Sequence, residues 1–149
     1  MRVSASGGEP QPATRLDLAQ SEGTHRVPQF LPDGRTFLFY SSGGTGTEPG
    51  KLCIGRLGSL DHRCLTAASS GGVLVPPHYV VYSRGKTLVA QRLDLDSMEL
   101  SGEAAPLEVD LPSNLGTSGQ RALSGIGYRG LPGGLDGAQS SRLGGPGWR

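Results

Sequence analysis

The chain has 149 residues, of which 25 are Gly and 11 are Pro, and this density of chain breakers excludes an architecture of long helices. Apolar residues make up 35 % and aromatics 5 %, below the ~45–50 % apolar content usual for globular chains, so the core is thin for this length. A formal charge of +1 with no run of like charges removes the electrostatic basis for binding nucleic acid or an anionic membrane surface.

The predicted elements are short β segments separated by turn chemistry, and no stretch of ten residues keeps a helical period. Residues 7–18, Gly-Gly-Glu-Pro-Gln-Pro-Ala-Thr-Arg-Leu-Asp-Leu, read as a Pro-containing edge strand. The run 36–40, Thr-Phe-Leu-Phe-Tyr, is β-rich and follows Pro32-Asp33-Gly34. In that turn Pro32 presets its own φ, the Asp33 carboxylate bonds local amides and Gly34 accepts positive φ, so residues 29–31 fold back on 36–40. A polar loop over 41–50 follows, and residues 51–57 then pair with 62–66 through the loop 58–61. The result is a four-stranded antiparallel meander. A second set comes next: a strand at 79–83, a tight turn at Arg84-Gly85-Lys86, a returning strand at 87–93, a polar turn at 94–99 and an outer strand at 103–109.

Cys53 and Cys64 are the only cysteines and have no His at ligand spacing, which argues against a zinc site. They fall in neighbouring predicted strands, so a cross-strand disulfide fits an extracytosolic chain, while two half-buried thiols are the default. Gly8-Glu9 ahead of one Pro-containing strand is echoed by Gly102-Glu103 ahead of another, an offset of two units near 47 residues. Four short strands in 40–50 residues is the signature of a β-propeller blade.

Two stretches carry a family resemblance. Residues 7–17 and 25–40, the latter including His25-Arg26-Val27-Pro28-Gln29-Phe30-Leu31-Pro32-Asp33-Gly34-Arg35, resemble the TolB-type, WD-repeat-like propeller blades of bacterial serine/threonine protein kinases. Residues 85–94 and 100–103 resemble the following blade, so the match spans about three-quarters of the chain. The resemblance implies a parent protein with an N-terminal kinase domain, a membrane span and an extracytoplasmic propeller that senses or binds. Within this chain there is no Gly-rich loop with a strand Lys, no His-Arg-Asp and no Asp-Phe-Gly. Gly125-x-Gly127-x-x-Gly130 lacks a preceding strand, and Pro132 and Gly133 forbid the helix that a phosphate loop requires. Similar propellers also stand before α/β-hydrolase peptidase domains and gate substrate access, which is the alternative reading.

Residues 113–149 hold eleven glycines and depart from the blade pattern after residue 122. A one-base shift over residues 125–132 with permitted codons restores a strand-like Ala-Ser-Gly-Ile-Ala-Val-Tyr. A frameshifted tail and an ordinary disordered linker are therefore the two readings of this segment, and a decayed reading frame without function is the third reading of the whole.

His25, His62 and His78 are placed in a loop, a turn and a strand, and a shared metal site would have to gather them from separate blade positions, so structural roles are expected. No Gly-x-Ser-x-Gly elbow is present. Asp33 reads as a turn former, and Phe30, Phe37, Phe39, Tyr40, Tyr79 and Tyr82 as packing between adjacent sheets.

The sequence thus predicts an all-β, partial β-propeller over residues 1–112, with blade units at about 19–67 and 68–111 and one stray strand before them, then a disordered or frameshifted tail over 113–149. It predicts a non-catalytic fragment with a binding, sensing or protein-interaction role. No catalytic, cofactor or metal residue is expected, and the functional residues are structural: Pro32, Asp33 and Gly34 in the turn, Gly8, Glu9, Gly102 and Glu103 in the repeat. The partner, protein or small ligand, is not specified, nucleic acid is not expected, and further blades or partner strands are needed for folding. No apolar run approaches the ~18–20 residues of a membrane span and residues 1–12 lack the apolar stretch of a signal peptide, so the chain alone is expected to stay cytoplasmic although the parent propeller lies outside.

Overall fold

Alternation of side chains along the strands decides the architecture, because the central strands carry apolar residues at odd and even positions alike. The computed structural model describes residues 1–45 and 49–108. Strands β1 (Glu22–Phe30), β2 (Thr36–Gly43), β3 (Lys51–Arg56) and β4 (His62–Ala67) form one antiparallel sheet in the order β1-β2-β3-β4. Strands β5 (Val73–Val75), β6 (Tyr79–Arg84), β7 (Thr87–Asp94) and β8 (Glu99–Leu107) form a second in the order β5-β6-β7-β8. Both are simple meanders and neither closes on itself. The all-β architecture in two successive antiparallel sheets expected from the sequence is the one observed, the second sheet gaining β5 as its fourth strand.

The two sheets meet face to face. Successive residues of a strand point to opposite faces, so Leu38, Leu52 and Ile54 of the first sheet project to one side and Phe37, Phe39 and Cys53 to the other. The first group joins Val80, Tyr82, Val89 and Leu93 of the second sheet, with Leu31 and Ala68, in one buried core. On the far side of the second sheet Val81, Leu88, Ala90 and Leu107 form a separate cluster. Of the aromatics expected to pack between sheets, Tyr82 does so, whereas Phe37 and Phe39 are buried on the far face of the first sheet. Phe30 is half exposed and meets Phe37 edge-on at 5.8 Å.

The link between the sheets is held by backbone and serine bonds. Ala68 N–H donates to Gly50 O at 2.9 Å and Ser69 N–H to Ser83 O at 2.8 Å, and Ser70 Oγ accepts from Ser83 N–H at 3.0 Å. Gly72 then passes between the sheets, where a Cβ would stand 2.7 Å from Val80 Cγ1 and 3.0 Å from Leu52 Cδ1.

The turn before β2 is built on Asp33. Its Oδ1 accepts from Arg35 N–H at 2.9 Å and Thr36 N–H at 2.8 Å, and its Oδ2 from Thr36 Oγ1 at 2.6 Å. These bonds, the Thr36 hydroxyl first, hold the Asp33 carboxyl below its usual range. Gly34 takes φ +65°, and its N–H closes the turn onto Leu31 O at 3.0 Å.

Four local details differ from the sequence reading. Strand β1 begins at Glu22, seven residues earlier than residue 29, because register shifts at Glu22/Thr24 and Arg26/Gln29 let it continue through Pro28. Strand β5 was not anticipated, its three residues being short and bounded by Gly71-Gly72 and Pro76-Pro77. His78 lies in the turn between β5 and β6 where a strand was expected, His25 lies within β1 where a loop was expected, and His62 opens β4 at the start of the strand expected over 62–66. Residues 7–18 add no strand to either sheet: the chain turns through Gly7 and Gly8, at φ +89° and +120°, into an isolated Arg2–Gln11 bridge and later a 3-10 turn at Leu18–Gln20. Gly8-Glu9 therefore sits in an exposed turn, whereas Gly102-Glu103 lies within β8. The tail expected over 113–149 falls outside the described residues.

Leu52 and Val80 are fully buried, so neither yields easily to an added methyl at residue 72. Gly72→Ala is expected to destabilise the fold by about 1–3 kcal/mol through overpacking. Gly34→Ala, with open space around it, is expected to cost about 1 kcal/mol from its positive φ alone. Denaturant midpoints at unchanged slope measure both, and equal costs would contradict the tight packing at Gly72.

Candidate functional site

The far face of the first sheet carries the one cluster of titratable side chains that the fold gathers from distant segments among the described residues: Glu22 and His25 from β1, and His62 from β4. Cross-strand pairing sets its floor, since Phe39 of β2 faces Cys53 of β3, and Cys53 faces Cys64 of β4. The two cysteines are joined in a disulfide, so the default expectation of free thiols is corrected. Their positions are symmetric about the β3–β4 loop, as are Gly55 and His62, and that symmetry is the signal in the sequence that makes them opposite neighbours.

Glu22 and His25 are three residues apart, a spacing that puts side chains on opposite faces of a regular strand. The bulge between Glu22 and Thr24 supplies the extra residue that returns both to one face. His25 Nε2 lies 3.0 Å from Glu22 Oε2, and His62 Nε2 lies 2.9 Å from Glu22 Oε1. The side chains of Glu22, His62 and His25 are only 2 %, 8 % and 12 % exposed. Phe39 packs against both imidazoles, with ring centroids at 4.6 Å from His25 and 5.3 Å from His62, and the imidazoles meet each other edge-on at 4.8 Å.

The N-terminal segment covers this cluster. Thr14 Oγ1 bonds His25 Nδ1 at 2.8 Å, Arg15 N–H donates to Leu60 O at 2.9 Å, and Asp17 N–H donates to Glu22 Oε2 at 2.7 Å. Glu22 N–H returns a bond to Asp17 O at 3.1 Å, closing a reciprocal loop around the 3-10 turn. Cys64 Sγ lies 3.5 Å from Glu22 Oε1, which places the disulfide beside the carboxylate.

Burial alone would raise the Glu22 pKa, but the Asp17 N–H and the two imidazoles together outweigh it and bring it down to about 2. Burial lowers the His25 pKa, opposed by its bond to Glu22. The result is an ionised carboxylate whose ion-pair partners among the described residues are two imidazoles, with no Arg or Lys.

The sequence reading expected no gathering of the histidines; two of the three are gathered, and His78 stays apart. Glu22 was missed altogether, because its role depends on a bulge and on a backbone N–H five residues earlier. The residues singled out from sequence lie elsewhere: Pro32-Asp33-Gly34 at the β1–β2 turn, Gly8-Glu9 in the N-terminal turn, and Gly102 in β8, its carbonyl accepting from Gln91 Nε2 at 2.7 Å. Glu103 is exposed in the same strand. The order Thr14 hydroxyl, His25 imidazole, Glu22 carboxylate resembles a nucleophilic relay, yet Glu22 is also engaged by His62 and Asp17, which makes it a hub. No helix among the described residues is long and apolar enough to cross a membrane. No protein-family model, curated protein or solved structure matches the chain.

Both pKa shifts act in one direction. His25, lowered in the folded state, gives stability that is lost as pH falls below its ordinary value of 6.5, and Glu22 gives stability that is full above 4.5 and lost as pH falls toward about 2. Thermal midpoints measured from pH 8 down to pH 2 are expected to decline in two stages. Glu22→Gln should flatten the lower stage, and a variant that keeps the full acid loss would remove Glu22 from the account.

Proposed function

We propose that this chain is a non-catalytic pair of adjacent blades from a β-propeller of the kind that accompanies bacterial serine/threonine kinases, with a binding or sensing role on the extracytoplasmic side. One observation carries the reading: the central strands of both sheets are apolar on both faces. A two-sheet sandwich needs only its inner faces apolar, whereas a propeller blade is pressed between two neighbours. Leu38 against Phe37 and Phe39, and Tyr82 against Val81, are the pairs of opposed positions that express this.

Two meanders in succession, joined by a short link, fit consecutive blades, and propellers close with about four or more. The Cys53–Cys64 disulfide favours an oxidising compartment, in keeping with a propeller outside the cytosol. The binding surface is then one that the blades build jointly with their neighbours.

The test is the DNA sequence of the locus read in all frames, through the codons for residues 113–149 and several hundred codons to either side. The expected result is a kinase catalytic domain and a membrane-spanning helix upstream in a compatible frame, with further blade strands nearby. A hydrolase domain with a Gly-x-Ser-x-Gly elbow downstream would move the role to gating a peptidase. Closed frames on both sides, without either domain, would overturn the reading.

A further inference from the structure

We infer that Glu22, His25 and His62 form a binding site for a single divalent transition-metal ion of the zinc class, with the Glu22 carboxylate and the two imidazole Nε2 atoms as protein ligands. The three ligand atoms already lie within 4.8 Å of one another, and both imidazole-to-carboxylate distances are 3.0 Å or less. Zinc with bonds of about 2.0–2.1 Å to nitrogen and oxygen holds tetrahedral ligands about 3.3 Å apart. Each imidazole is within a few tenths of an ångström of that value from its own carboxylate oxygen, Oε2 for His25 and Oε1 for His62. The ion is therefore held by both oxygens together or by one after a small rotation of the carboxylate, with the two imidazoles closing toward each other. Two imidazoles with one carboxylate are borderline donors that select zinc, cobalt or nickel over the oxygen-seeking calcium and magnesium.

Three features make this a prepared site. First, the carboxylate is buried, and among the described residues its ion-pair partners are the two imidazoles, with no Arg or Lys. Second, the ligands come from both edge strands of the sheet, β1 and β4, so an ion would tie the two edges together. Third, His25 has the outer partner that metal-bound histidines usually possess. Without an ion, an ionised Glu22 can only accept, so each Nε2 carries the proton and Thr14 Oγ1 donates to His25 Nδ1. With an ion on Nε2, the neutral ring keeps one proton at Nδ1, and the same hydroxyl accepts it. A threonine hydroxyl serves both tautomers, which a methyl or a carbonyl could not. The imidazole edges, 8–12 % exposed, leave a narrow approach.

The site stands independently of the propeller reading, since it uses only the first sheet and the segment that covers it. Its test uses the full oxidised chain, stripped with chelator and titrated with zinc chloride and, separately, cobalt chloride. One equivalent is expected to bind, with visible cobalt absorption and a rise in the thermal midpoint. Glu22→Gln and His62→Asn are each expected to weaken zinc binding by at least about a hundredfold and Thr14→Val by about tenfold, while His78→Asn leaves it unchanged. Absence of saturable one-equivalent binding, or wild-type affinity in His62→Asn, would overturn the assignment. Should the variants fail to fold, imidazole nitrogen resonances of the wild-type chain decide. Shifts of the His25 and His62 Nε2 signals at one equivalent of zinc support the site, and shifts confined to His78, or none, refute it.

Discussion

Burial on two faces is the constraint from which the rest of this structure follows. A β-strand shows alternate residues to opposite sides, so a strand such as β2, with Phe37 and Phe39 on one side and Leu38 on the other, cannot leave either side in water without exposing large apolar groups. The inner sides solve this mutually, with Leu38 and Leu52 of one sheet in the same core as Val80 and Tyr82 of the other. Close approach of the sheets in turn dictates Gly72 at the crossing and the serine-bonded link beside it.

The outer face of the first sheet is covered differently. Its apolar patch, Phe37, Phe39 and the Cys53–Cys64 bridge, is small, and the polar groups beside it are buried with it. A carboxylate placed there would be costly unless fully bonded. Glu22 meets that demand through Asp17 N–H, His25 and His62, and the segment that supplies Asp17 also supplies Thr14. Burial of the cluster and attachment of the N-terminal segment are thus one event. The exposed Arg63–Glu99 pair, at 2.7 Å between the two sheets, adds little by comparison, because water screens both groups.

Much of this was legible in the sequence wherever local chemistry decides. Pro32-Asp33-Gly34 specifies a turn from three residues whose bonds reach no further than Thr36, and the apolar, β-rich runs of β2, β3, β6 and β7 declare themselves by composition. What stayed hidden depends on register. Whether His25 shares a face with Glu22 turns on a bulge that no composition announces, and one residue of slip sends a side chain to the other face. Strand β5 is too short to show a period, and it forms because β6 offers Val80 and Val81 as partners to Leu74 and Val73. The Gly8-Glu9 and Gly102-Glu103 echo shows the opposite failure: similar residues met different surroundings, an exposed turn in one case and a paired strand in the other.

The two outer faces also differ in kind. On the first sheet the face is finished with polar groups and crossed by residues 14–17, which bond His25 and Glu22. On the second sheet the corresponding face carries the aliphatic cluster of Val73, Val75, Val81, Leu88, Ala90 and Leu107. Val81, Leu88, Ala90 and Leu107 are already buried, at 4 %, 3 %, 1 % and 8 % exposure, so each keeps the transfer free energy of its apolar surface within the chain itself.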